Sequence, residues 1–181
     1  MKLQDALIYE LIKPTKLGEP TGAIIGIVGT KNIKYVIEDS QEFQQRATHS
    51  IETLVEQMTP DLVVTRLRPQ QGEPLTAVVE VETDVDFDFG ASMRQIKKYR
   101  KISREIHVII PKAEENFAPL YRNEGFRVWL WEATRIWECM RCGAVKEENR
   151  KLQPRCSERS CGSSEQKLKG LKDAKFTDFG Q

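Results

Sequence analysis

Apolar and polar residues follow two rhythms along this chain, and the switches between them mark its elements. Leu3, Ala6, Leu7 and Leu11 recur at helical spacing in LQDALIYELI, and Pro14 lies just beyond, so a first helix is predicted there. GAIIGIVG and IKYVIED are β-rich runs, and Gly29 and Asn32 between them suit a hairpin turn. From a cap at Asp39 or Ser40, the stripe Phe43, Ala47, Ile51, Leu54, Val55 and Met58 predicts a long helix closed by Pro60. DLVVTRL and TAVVEVE, joined by PQQGEP, read as an antiparallel pair of strands. SMRQIKKYRKI then reads as a basic helix, IHVIIP as a buried strand, NFAPLYRNEG as a helix stopped by Gly125, and FRVWLWE as a strand. Strands alternate with helices after Glu82, which predicts an α/β core, a mixed sheet flanked by helices, ending near Ala133.

At 181 residues the chain has room for one good core and a small appendage. No apolar run approaches the roughly 20 residues of a membrane helix, and Asp5 and Glu10 interrupt the N-terminal apolar pattern where a signal peptide would have none. A cytoplasmic protein without a membrane partner is expected. The net charge of +1 conceals an asymmetry: 17 Lys and Arg face 20 Asp and Glu up to Glu132, against 11 and 7 from Ala133 onward. The basic tail and the basic run RQIKKYRKISR suit either a solvated face or contacts to phosphates.

All four cysteines lie in that tail, as Cys139-x2-Cys142 and Cys156-x4-Cys161 with thirteen residues between the pairs. Two short pairs joined by a loop let the backbone wrap a tetrahedral ion from both sides, and Gly143 and Gly162 suit the tight turn after each pair. The pattern resembles a zinc ribbon. Four thiolates close the coordination shell, so the expected Zn2+ is structural, supplying the stability that a segment poor in apolar residues cannot obtain by burial. Ribbons of this kind bind nucleic acid or a protein partner, and the charge favours nucleic acid.

A second feature is acidic. Glu80 stands inside an apolar strand and Glu82 two residues on, so both point the same way, roughly 6.6 Å apart along the strand. Asp61, after Pro60, starts the strand expected to pair with it. With Pro60-Asp61, Glu80-Val81-Glu82 and the Gln95-x3-Tyr99 spacing in QIKKY, residues 39–132 resemble the PD-(D/E)xK nuclease superfamily, which includes restriction endonucleases and RecB-type nucleases. The resemblance implies a restriction-endonuclease-like fold in which Asp61, Glu80 and the backbone of Val81 hold Mg2+ or Mn2+. It also implies Mg2+-dependent hydrolysis of phosphodiester bonds in DNA, with RNA the less favoured substrate. Position 82 is Glu where the family's motif has lysine. Some members carry Glu there, and others place the lysine on the next helix, where Lys97 and Lys98 stand. Glu82 would then serve as general base or support a second metal, and Gln95, Lys97 and Lys98 would orient phosphate or water.

Relatives also contribute an acid from the helix before the motif, and Glu52 is the candidate. His49 reads as a surface histidine, His107 as structural, Trp129, Trp131 and Trp137 as packing between core and ribbon, and Asp84, Asp86 and Asp88 as solvated. Taken together, the chain is expected to comprise residues 1–38 as a helix and hairpin suited to homodimerisation, 39–133 as the nuclease-like core and 134–181 as zinc ribbon and basic tail. A non-catalytic adaptor on the same fold, binding nucleic acid or a transcription or repair protein, is the alternative.

Overall fold

The computed structural model describes residues 1–13, 23–28, 35–39, 41–42, 45, 58–69, 71–72, 74–149, 153–158 and 160–180. The described helices are α1 (Leu3–Ile12), α2 (Ile24–Val28), α3 (Val85–Lys98) and α4 (Ala118–Asn123). The strands are β1 (Tyr35–Asp39), β2 (Leu62–Arg66), β3 (Thr76–Val81), β4 (Glu105–Pro111), β5 (Arg127–Cys139), β6 (Val145–Glu148) and β7 (Gln166–Asp178). They form one mixed sheet in the order β1 to β6, with β7 along the other side of β5. The pairs β1–β2 and β2–β3 are antiparallel, while β3–β4 and β4–β5 are parallel, joined by α3 and α4. No described helix is long and apolar enough to cross a membrane.

The two-residue period of the strands assigns each side chain to a layer. Ala77, Val79 and Val81 join Leu62, Val64, Ile109 and Trp131 beneath Leu7 and Leu11 of α1 and Ile24, Ile27 and Val28 of α2. On the other face, Val78, Val108, Ile110, Val128 and Leu130 pack under Ile96, Tyr99, Ala118 and Tyr121. Each fully buried aliphatic side chain contributes about 1.5–3 kcal/mol. Both faces of β3 are covered, which explains its near-continuous apolar run and leaves Glu80 pointing into the α3 layer.

One predicted element is corrected. The first run of the expected hairpin is a helix, Ile24–Val28, and IKYVIED supplies β1, which pairs with β2. An apolar run this short carries no decisive period. Its Ile24, Ile27 and Val28 lie at i, i+3 and i+4, so a single helical turn buries all three. The helix expected after Asp39 begins as predicted: Asp39 Oδ1 accepts from the amides of Gln41 and Glu42, both at 2.9 Å, and Glu42 Oε2 accepts from Asp39 N at 3.1 Å, a capping box. Most of its stripe, with His49 and Glu52, lies outside the described residues. The β2–β3 hairpin holds with Leu62 opposite Val79.

β5 runs unbroken past residue 133 to Cys139, further than FRVWLWE suggests. β7 returns along it from Cys139↔Gln166 to Trp129↔Asp178, through two irregularities. The cysteine segment therefore shares two strands with the core sheet.

At the far end of the sheet from Glu82 lies a buried polar network. Arg66 donates to both oxygens of Glu105, at 2.9 and 3.0 Å, and to the carbonyls of Pro74 and Val28. His107 Nδ1 accepts from Trp129 Nε1 at 3.1 Å while its Nε2 meets Glu105 at 2.9 Å, so the ring is a structural link, as expected. Burial pushes Glu105 up, but the hydrogen bonds of His107 and Arg66 outweigh it and hold the carboxyl at about 2. Removing one member of such a pair strands the other: Arg66→Leu is expected to cost about 3–5 kcal/mol in denaturant unfolding. A change below 1 kcal/mol would show that the pair is dispensable.

Candidate functional site

The register of β2 against β3 sets Asp61 beside Glu80. Asp61 N donates to Glu80 Oε2 at 3.1 Å, and Val81 N donates to Asp61 Oδ2 at 2.7 Å. Two further elements complete the surroundings. From α1, Gln4 Nε2 donates to Asp61 Oδ1 at 2.7 Å and reaches the Val81 carbonyl at 3.4 Å. From α3, Gln95 Nε2 donates to Glu80 Oε1 at 3.0 Å and to Tyr99 OH at 2.7 Å, and Tyr99 OH contacts the same carboxylate oxygen at 3.3 Å. The Gln-x3-Tyr spacing is thus one helical turn that turns both polar ends onto one acid.

Glu82, just past the strand, also faces α3. Ser92 Oγ donates to its Oε1 and lies 2.8 Å from Tyr121 OH, while Trp131 Nε1 donates to the Glu82 carbonyl at 3.0 Å. The three acids open into a cleft of about 470 Å³ whose wall also carries Gln4, Asp84, Asp88, Ser92 and Gln95. Among the described residues, five carboxylates and no lysine or arginine line it. A larger cleft, about 590 Å³, lies beyond Trp131; its charges are mixed, with Lys112, Arg135 and Lys175 among Glu115, Glu132 and Asp173.

Of the residues expected at the site, Asp61, Glu80, Val81, Glu82 and Gln95 come together. Lys97 pairs instead with Glu124 at 2.8 Å, and Lys98 is exposed; neither lines the cleft. Asp84 and Asp88 are exposed yet form its rim, a position beyond what their sequence reading assigned. Ser92 was discoverable, because Asp88, Ser92, Gln95 and Tyr99 fall at spacings of three and four. Gln4 carried no signal, arriving from a helix 57 residues away from its partner.

Burial drives Asp61 up to about 6, against the hydrogen bonds of Val81 and Gln4 and with the charges of Glu82 and Asp5 adding to the rise. Glu80 lies well above the ordinary carboxylate range through burial and then the charge of Asp61. Glu82 is raised by burial too. An acid raised in the folded state contributes stability that is full below its unfolded pKa, near 4, and is lost as the pH climbs through the folded value. His107, lowered by burial from its ordinary 6.5, acts with the opposite sign below that value, and comparison with a variant removes its contribution. Without added divalent cation, Glu80→Gln is expected to melt near the wild-type temperature at pH 5 and above it at pH 8. A difference that does not grow with pH would mean that Glu80 is not held at raised pKa.

The second constellation is the cysteine cluster, whose four Sγ atoms all lie within 4.8 Å of one another. Cys139 and Cys161 are 3.7 Å apart and Cys142 and Cys156 3.5 Å, close to the roughly 3.8 Å edge of a tetrahedron with metal–sulfur distances of about 2.3 Å. These are far beyond a disulfide's length, and all four thiols are free. Gly143 and Gly162 take φ of +74° and +55°, where a β-carbon would be strained, to close the two turns. The backbone N–H of Cys142, then that of Arg141, lowers the Cys139 thiol to about 6, favouring the thiolate a metal requires. The cluster is suited to a metal such as zinc.

Compared with protein-family models, curated proteins and solved structures, the chain has no match.

Proposed function

We propose that the chain is a divalent-metal-dependent nuclease of restriction-endonuclease-like fold, hydrolysing phosphodiester bonds in DNA before RNA, with a structural zinc in the cysteine cluster. The observation that carries this is the approach of half-buried Asp61 to buried Glu80, two carboxylates joined to the Val81 backbone with no cation paired to them among the described residues. Held without a counter-charge, such a pair is costly. Asp61, Glu80 and the Val81 carbonyl form an all-oxygen donor set that fits Mg2+ or Mn2+. A divalent cation there would neutralise charge on the phosphate and lower the pKa of a bound water.

The chain's own groups have distinct parts in this reading. Gln95 and Tyr99 fix the orientation of Glu80. Ser92 occupies Glu82 Oε1, leaving Oε2 to accept a proton from the attacking water, a task suited to a carboxylate of raised pKa. Lys97, engaged by Glu124, does not replace the family's lysine in this arrangement.

That no described lysine or arginine lines the cleft wall favours the adaptor reading instead, in which the fold binds without cutting. The deciding experiment is incubation of the intact protein with linear, branched and single-stranded DNA and RNA under Mg2+ or Mn2+. Cleavage of one form, lost in Asp61 and Glu80 variants, supports the nuclease. Failure to cut any form, together with no melting response to either ion, would leave the adaptor as the better account.

A further inference from the structure

Phe87 is 87% exposed, the most exposed large hydrophobic side chain among the described residues. It stands in the turn between Asp84 and Asp88, two residues that line the acidic cleft. The segment is pinned on both sides. Val85 is fully buried and its N–H donates to Glu114 Oε2 at 2.6 Å. Asp88 leaves helical geometry, with φ −152° and ψ 58°, and its Oδ1 accepts from Ala91 N at 3.0 Å, capping the straight part of α3. Phe89 packs against Phe117 and Tyr121 at ring separations of 5.4 and 5.2 Å. Val85 and Phe89 are thus held inward while the ring between them stands in water on an ordered turn.

The same helix, with the 3-10 turn Tyr99–Lys101 that follows it, offers a path away from the cleft. Ala91 lines the cleft, and Arg94, Lys98 and Lys101 follow it at spacings of three and four residues, all exposed. None of the three forms an ion pair among the described residues, unlike Lys97. A stripe of free cations suits a phosphate backbone, whereas Asp84, Asp86 and Asp88 around Phe87 repel phosphate and leave only the uncharged face of a base able to approach the ring.

Building on the nuclease reading, we propose that Phe87 stacks an unpaired base beside the scissile phosphate while Arg94, Lys98 and Lys101 carry the adjoining backbone, so the preferred substrate is single-stranded or locally unpaired. The ring and the cations are positioning groups.

The test measures binding of the full-length protein to one oligonucleotide as a single strand and as a blunt duplex, with Ca2+ in place of Mg2+. Phe87→Ala is expected to weaken single-strand binding roughly tenfold, the worth of one base–aromatic stack, and duplex binding less than about twofold. Phe87→Trp should restore it. Arg94→Ala with Lys98→Ala should reduce the single-strand salt slope by about 1.4. Equal losses on both forms, or none on either, would overturn the proposal; no loss would assign the ring to a protein contact. If the wild type cuts or binds but Phe87→Ala matches it, only this inference fails. If the wild type binds neither form, the nuclease reading falls with it.

Discussion

Cys139→Ser is expected to cost the chain its metal and, with it, the outer halves of β5 and β7. Around the sulfurs there is little else to hold the segment: Met140 and Val145 are exposed, and between Cys139 and Leu168 no other described apolar side chain is buried. Structural zinc in such modules supplies about 10–16 kcal/mol, far more than burial can return here. Elemental analysis should find one zinc per wild-type chain and less than one in the variant. Amide exchange should accelerate over residues 134–148 and 166–172, while Trp129 to Trp131, paired with β4 as well as β7, stay protected. A metal-free wild type with slow exchange across the cluster would refute the assignment.

The second large effect concerns Asp61 and Glu80. Each alanine variant is expected to lower cleavage on the order of 10³-fold, the equivalent of several kcal/mol of transition-state stabilisation, while nucleic-acid binding persists. Because metal bound only by the folded chain stabilises it by mass action, wild type should melt higher in Mg2+ or Mn2+ and the variants should not. Glu82→Ala should impair cleavage while retaining the melting response, since Ser92 and Tyr121 tie that side chain to α3 and Asp61 and Glu80 remain. A melting response that survives in Glu80→Ala would place the ion elsewhere.

What could be read from the sequence divides along physical lines. β2, β3 and their pairing were legible because two short, near-continuous apolar runs joined by a short polar loop read as paired strands buried on both faces. Asp61 and Glu80 followed from that pairing. The four cysteines were legible because ligand spacing is local. Ile24–Val28 was misread because so short an apolar run satisfies a strand and a helix turn equally well until Leu7 and Leu11 supply the surface it buries against. Gln4 and the long return of β7 were invisible for a related reason: both are long-range pairings that no local pattern encodes. Lys97 looked suitable by position on α3, yet helical phase turns it towards Glu124.

The unbroken course of β5 makes the protein a caliper. Trp131 bonds to the Glu82 backbone, and Cys139 lies eight residues further along the same strand, about 26 Å at roughly 3.3 Å per residue. With β7 bonded alongside, that arm resists bending. On the nuclease reading, a nucleic acid held at the cysteine cluster would therefore meet the acids at a fixed offset of about 26 Å along this strand.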